Sequence, residues 1–246
     1  MATTITDAQQ AATWLEELVN GARNVVFFGG AGVSTASGIP DFRSVDGLYQ
    51  QRFAYPPETM LSHSFYVSHP EEFYDFYRAK MIALDAKPNQ AHLKLAELEA
   101  QGKVSAVVTQ NIDGLHQAAG SQRVYELHGS THRNICRRCG HVYSAEWIAA
   151  TSGVPVCEEC GGPIKPDVVL YEEGLDEATI SGAVRAIAQA DLLIVGGTSL
   201  VVYPAAGLID YRPAGCTLVV INRDPTPADA RADVVMNVDI AQAFAW

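Results

Sequence analysis

Five short apolar runs recur along the chain, at residues 25–28, 104–109, 192–195, 218–221 and 234–238. Each is four to six residues long and dominated by Val, Ile, Leu and Phe. Near-continuous runs of this length read as strands buried on both faces, as in a parallel sheet. Helical periodicity lies between them. Residues 6–22 place Trp14, Leu15, Leu18 and Val19 on one face, with Thr6 and Gln9 spaced as a capping box and Gly21 as a stop. Residues 89–101 open on Asn89 and are followed by Gly102, and residues 176–190 open on Asp176 with an acidic first turn. Strands alternating with helices predict βαβ units in a doubly wound parallel sheet, an α/β fold.

Two stretches break the alternation. Residues 40–88 are aromatic-rich and contain Pro56-Pro57, and residues 129–165 carry four of the five cysteines. Both read as insertions that pack together as a smaller domain. The expected division is therefore discontinuous, with 1–39, 89–128 and 166–246 building the sheet domain and 40–88 with 129–165 the small one. The length of 246 residues suits one large domain or two unequal ones.

Charge narrows the function classes. Lys plus Arg number 17 against 28 Asp plus Glu, a net charge of −11, which argues against a phosphate-backbone binder. The first cation is Arg23, and Asp7, Glu16 and Glu17 interrupt any N-terminal apolar run, so no signal peptide is expected. No run approaches the roughly 18 apolar residues that span a bilayer. The expectation is a cytoplasmic protein with neither membrane nor nucleic-acid partners, whose cysteines are metal ligands or buried thiols.

Cys136-x2-Cys139 and Cys157-x2-Cys160 are separated by 17 residues, with Gly140 and Gly161-Gly162 supplying turns. Four thiolates at this spacing fit one tetrahedral Zn2+, and four protein ligands leave no open position, so the ion is expected to be structural. Cys216 stands alone and reads as a buried thiol.

The remaining candidates cluster at strand ends, where doubly wound sheets bind ligands. Gly30-Ala31-Gly32-Val33-Ser34-Thr35 follows the first strand. It fits either a plain strand-to-helix turn or a pyrophosphate cradle at a helix N-terminus. Thr35 stands where the dinucleotide fingerprint has its third glycine, and no acidic residue ends a second strand about 20 residues on. Residues 37–43 keep a polar loop beside this turn, with Phe42 and Arg43 able to meet a flat ring and a phosphate. Gln110-Asn111-Ile112-Asp113 ends the second strand and offers amides and a carboxylate, either to a ligand's carboxamide or as a helix cap. His128 precedes the cysteine module and has the most site-like position of seven histidines, with His116 its rival. Gly197-Thr198-Ser199 and Asn222 follow later strands.

Taken in order, these motifs resemble the sirtuin family of NAD-dependent protein deacylases, in the manner of its bacterial deacetylases. The match runs over about residues 25–240. The resemblance implies a Rossmann-like NAD-binding domain and a small domain made of a helical insertion and the zinc module. It implies that Gly30, Ala31, Gly32, Thr35, Phe42, Arg43, Gln110, Gly197, Thr198, Ser199 and Asn222 meet NAD. Asn111, Ile112 and Asp113 would surround the nicotinamide end, and the backbone of Ile240 the adenine. An acetyl-lysine peptide would add to Val168, Val169 and Tyr171 by β-augmentation.

The implied reaction consumes NAD as co-substrate. Departure of nicotinamide exposes the ribose carbon, the acyl oxygen captures it, and His128 acts as general base through the ribose hydroxyls. Products are free lysine, nicotinamide and acyl-ADP-ribose. Members preferring acidic acyl groups carry Tyr-x-x-Arg on the small-domain helix. Here Tyr74 is followed by Tyr77 at the Arg position, with Arg78 one residue displaced, so deacetylation is expected over desuccinylation. Tyr171-Glu172-Glu173 also departs from the family's Phe-Gly-Glu, and an added carboxylate there predicts a preference for basic flanking residues. The competing classes are an NAD-dependent dehydrogenase, a zinc-ribbon adaptor and a mono-ADP-ribosyltransferase.

Overall fold

The computed structural model describes residues 2–42, 47–50 and 53–246. Ten strands occur among them: β1 (Thr3–Ile5), β2 (Val25–Gly29), β3 (Val104–Thr109), β4 (Val124–Glu126), β5 (Gly129–Cys136), β6 (Val142–Tyr143), β7 (Ile164–Val168), β8 (Leu192–Gly196), β9 (Thr217–Ile221) and β10 (Val234–Met236). The α-helices are α1 (Ala8–Gly21), α2 (Pro57–Met60), α3 (His63–Ser68), α4 (Pro70–Phe76), α5 (Gln90–Ala100), α6 (Leu115–Ala119), α7 (Ala145–Ala150), α8 (Glu177–Ile187) and α9 (Ile240–Ala243).

Seven strands form one parallel sheet in the order β1-β10-β9-β8-β2-β3-β4. All five apolar runs lie in it, and alternate residues feed opposite faces. Val25, Phe27, Val107, Ile194 and Val219 pack with α1, α5 and α9, while Val26, Phe28, Val108, Leu193 and Val220 pack with α8 and Cys216. Phe27 and Phe28 are both fully buried, each contributing roughly 1.5–3 kcal/mol of transfer free energy. The α1 cap differs from expectation: Asp7, not Thr6, accepts from the Gln10 amide at 2.8 Å.

A second, antiparallel sheet has the order β6-β5-β7. Its face is buried against the helical insertion. Phe65, Phe73, Tyr74 and Tyr77 share one apolar cluster with Cys136, Tyr143, Ile148 and Ile164. The two insertions therefore pack on each other, and β7 runs across the expected boundary between residues 165 and 166.

The main sheet reverses its winding between β2 and β8, whose last residues, Gly29 and Gly196, are paired in register. A reversal of this kind opens a crevice at the carboxyl ends of the strands.

Candidate functional site

A cavity of about 470 Å³ occupies that crevice. It is lined from the sheet side by Ala31, Gly32, Gln110, Asn111, Asp113, His128, Gly197, Thr198, Ser199, Asn222 and Ile240, and from the insertions by Phe42, Leu48, Leu61 and Met81. Ile112, Val168, Val169, Tyr171 and Glu172 are among the residues on its remaining wall.

The glycine turn is not the start of a helix. β2 passes into two single 3-10 turns, Ala31–Val33 and Thr35–Ser37. Gly32 donates its amide to the Gly197 carbonyl at 2.8 Å. A Cβ on Gly32 would lie 2.8 Å from the Gly197 Cα, and one on Gly30 2.8 Å from the Thr198 Cβ. Both glycines thus let two strand-end loops touch, and Gly197 does the same from the other side: it holds φ 59°, and a Cβ there would lie 2.4 Å from the Val33 amide nitrogen. Gly30 and Thr35 do not line the cavity; the Thr35 hydroxyl donates to the Gly32 carbonyl at 3.0 Å. Arg43 lies outside the described residues.

Gln110 holds the adjacent strand ends together. Its amide donates to the Gly29 carbonyl at 2.9 Å, its side-chain Nε2 to Thr198 Oγ1 at 3.1 Å, and its carbonyl faces His128 Nδ1 at 2.9 Å. Beyond it runs a buried polar relay. Asn111 Nδ2 donates to Ser34 Oγ at 3.0 Å, and that hydroxyl donates to Asp113 Oδ2 at 2.6 Å. Asp113 Oδ1 accepts from the Leu115 amide at 2.9 Å, so the carboxylate both caps the turn into α6 and belongs to the cavity. Each of its oxygens keeps a second acceptor direction. Ser34 lies inside the glycine turn without a site signature of its own, and its role arises only where two strand ends meet.

His128 follows β4 and lines the cavity. Burial pushes its pKa below 6.5, opposed in part by the bond to the Gln110 carbonyl, so the ring is neutral near pH 7. Its rival His116 is 1% exposed, stacked edge-on to His92 and absent from the cavity lining. Asn222 turns its Nδ2 back to the Asp224 carbonyl at 2.7 Å while lining the cavity. Ile240 opens α9, and its Cδ1 fills the space over Gly196, where a Cβ would approach to 2.3 Å.

The wall from 168 to 173 is already well bonded. Val169 donates its amide to the His128 carbonyl at 3.0 Å. Tyr171 donates to the Leu61 carbonyl and accepts from the His63 amide, both at 3.0 Å. The backbone of Tyr171 is thus engaged by the helical insertion before any peptide arrives.

The four cysteines converge elsewhere. Their Sγ atoms lie within 4.8 Å of one another, with Cys136–Cys160 at 3.5 Å and Cys139–Cys157 at 3.6 Å. Disulfide bonding needs about 2.05 Å. Ligands about 2.3 Å from a tetrahedral zinc stand roughly 3.8 Å apart, so the thiol set fits that ion. Gly140 and Gly161, at φ 76° and 66°, make the two tight turns. None of the four cysteines lines the cavity.

Comparison with known proteins agrees with this geometry. The sequence model of the Sir2 family matches residues 30–204. The chain is 56% identical over 232 residues to an NAD-dependent protein deacetylase of Clostridium perfringens, covering 94% of this chain and 95% of that one. It is 58% identical over 233 residues to one of Clostridium acetobutylicum, with the same 94% and 95% coverage. Among solved structures, a Sir2 with deacetylated p53 peptide and 3′-O-acetyl-ADP-ribose superposes with TM-score 0.87 at 40% identity, covering 94% of this chain and 95% of that one. A Sir2 with p53 peptide and NAD+ gives 0.82 at 42%, covering 94% of each.

Proposed function

This chain belongs to the Sir2 family, and from that premise we propose the work its cavity performs. It is an NAD-dependent protein-lysine deacetylase: it removes acetyl groups from lysine side chains of proteins, releasing nicotinamide and O-acetyl-ADP-ribose. NAD is consumed as co-substrate, and a zinc ion held by Cys136, Cys139, Cys157 and Cys160 contributes folding energy rather than chemistry.

The observation that carries this reading is the meeting of His128 with the Gln110–Asp113 strand end at the sheet's switch point, in one cavity. NAD supplies a glycosidic bond whose cleavage makes an electrophile strong enough for an amide oxygen. The protein's part is positioning and proton handling. The Asn111–Ser34–Asp113 relay presents one amide and one carboxylate, a pair that suits a carboxamide such as the nicotinamide end. His128, with Nδ1 bound to the Gln110 carbonyl, keeps Nε2 to take a proton from a ribose hydroxyl. Phe42, edge-on to Tyr49 at 5.7 Å between ring centroids, covers the site against water.

The contacts of Ala31, Gly32, Arg43, Gly197, Thr198, Ser199, Asn222 and Ile240 with NAD, and of Val168, Val169 and Tyr171 with the peptide, belong to the same proposal, whereas Gly30 and Thr35, outside the cavity lining, shape the turn. A division into a Rossmann-like NAD-binding domain and a small domain also belongs to the proposal, with the expected boundary between 165 and 166 moved beyond β7, whose residues pair with β5. No helix among the described residues is long and apolar enough to cross a membrane. With a net charge of −11, we take the partners to be acetylated proteins in the cytoplasm rather than nucleic acid or lipid.

Mass spectrometry of an acetyl-lysine peptide incubated with NAD tests the reading. Wild type yields the deacetylated peptide and a product at the mass of acetyl-ADP-ribose, and His128→Ala yields neither at a comparable rate. NADH absorbance without loss of the acetyl group, or label transferred from NAD to protein, would assign the chain elsewhere.

A further inference from the structure

We propose that Glu172 is a positioning residue for the acetylated peptide, acting as a staple that fixes the peptide-facing loop to the start of α3. The proposal rests on the cavity being the peptide site.

Glu172 sits at φ 76°, a left-handed conformation that disfavours every residue but glycine. Glycine is also what the family resemblance leads one to expect at this position. A non-glycine residue held there needs compensation, and the side chain supplies it. The Glu172 carboxylate accepts from the Ser64 amide and from the Ser64 hydroxyl, both at 2.9 Å.

These bonds complete a cap. A helix opens with amides that have no partner inside it. In α3 the first, from His63, goes to the Tyr171 carbonyl, the second, from Ser64, to Glu172, and the third, from Phe65, to the Ser62 side chain. Two of the three are thus satisfied by the loop of the opposite wall. Glu173 anchors the same loop from below. Its carboxylate accepts from the Leu170 amide at 2.9 Å and Lys165 Nζ at 2.9 Å, and lies 2.8 Å from His63 Nδ1.

The loop that a peptide strand must meet is therefore preformed against the helical insertion. A preformed edge lowers the ordering cost of binding and acts on peptide affinity, not on the bond-breaking step. It also assigns the added carboxylate a partner inside the protein. The direct effect of Glu172 is on backbone shape, independent of peptide charge, in place of the preference for basic flanks that its sequence position alone predicts.

Two variants separate these readings. Glu172→Gln retains acceptor and donor groups for Ser64 and loses the charge. Glu172→Gly loses the staple in a residue at ease with φ 76°. Three fluorescein-labelled acetyl-lysine peptides, flanked by Gly-Ala, by Lys-Arg or by Asp-Glu, give Kd by anisotropy without NAD and KM and kcat with it. The expected result is a rise of roughly three- to ten-fold in peptide Kd and KM for Glu172→Gly on all three peptides. The kcat and the KM for NAD stay at wild-type values, and Glu172→Gln restores wild-type binding. Wild-type affinity in Glu172→Gly overturns the proposal, as does a loss in both variants confined to Lys-Arg flanks. Peptide binding by wild type without turnover would sink the deacetylase reading and leave the staple to be judged by Kd; failure of wild type to bind any peptide would sink both.

Discussion

His128 Nδ1 and the backbone carbonyl oxygen of Gln110 stand 2.9 Å apart. A carbonyl only accepts, so Nδ1 carries the proton and Nε2 the lone pair. One backbone contact thus selects the tautomer a general base needs and ties it to the strand end that holds the polar relay. Burial lowers the pKa of His128 below 6.5. The competent form is the neutral one, lost as pH falls through that lowered value. The acid limb of kcat/KM should accordingly have its midpoint below pH 6.5, and His128→Ala should lose roughly 10²- to 10⁴-fold in kcat. A profile of kcat/KM from about pH 5 to about pH 8 checks the first point; a midpoint above the ordinary histidine value would remove His128 from the base role.

The cysteine set lies outside the cavity lining and against the apolar cluster that the two insertions share. Cys136 and Cys157 are buried in the cluster that also holds Phe73 and Tyr74, and the Tyr143 hydroxyl donates to the Cys157 sulfur at 3.2 Å. Cys157→Ser should therefore lose bound zinc and lower Tm, and a strong chelator should do the same to wild type. Zinc content by atomic absorption alongside calorimetry decides it. Retention of both zinc and Tm in the serine variant would contradict a structural site.

Legibility in the sequence followed locality. The five central strands are legible because each is buried on both faces almost throughout, so its apolar run is nearly continuous. β1 leaves no apolar run because it is a three-residue edge strand with two exposed threonines. The cysteine quartet was legible since both pairs carry their ligand spacing within a turn. His128 and the Gln110–Asp113 strand end were visible as motifs. The glycine turn shows as a motif, but half its reason is not local: Gly30 and Gly32 make room for the Gly197 loop, a contact between segments more than 160 residues apart. Ser34 likewise acquires its role from Asn111 and Asp113, 77 and 79 residues away. The π-helical turn at Tyr77–Met81 has no signature in apolar spacing at all.

That same turn bears on acyl choice. The Tyr74 hydroxyl donates to the Ile164 carbonyl, and the Tyr77 hydroxyl lies 3.5 Å from Asn134 Oδ1, so both rings serve the core. Arg78 binds Asp75 and the Gly153 carbonyl, each at 2.9 Å, beside the zinc module. None of the three lines the cavity, and none is placed to meet an acyl carboxylate. On one peptide sequence, kcat/KM for the acetylated form should exceed that for the succinylated form. Arg78→Ala should lower Tm without moving this ratio. A collapse of desuccinylation specific to Arg78→Ala would show that the guanidinium reaches the substrate after all.

His92 and His116 give the fold an acid limit separate from catalysis. Their rings are 4.7 Å apart between centroids, 0% and 1% exposed, and His116 has no hydrogen-bond partner on either nitrogen. Desolvation lowers His92 to about 4 and His116 well below its ordinary value. An unfolded chain protonates both near pH 6.5, whereas the folded one resists until lower pH, so the unfolded state binds more protons in between. Stability is unaffected above about pH 6.5 and falls below it, by about 1.4 kcal/mol per pH unit for each fully shifted histidine. Carboxylates with lowered pKa add their own loss only below their ordinary range, near 4.5 for Glu173. The interval from about pH 6.5 to about pH 4.5 therefore belongs mainly to histidine. Urea unfolding across it should give a steep decline for wild type and a shallower one for His116→Leu, which removes one of the two buried imidazoles. Equal slopes for the two proteins would show that the pair is hydrated enough to titrate normally in the folded state.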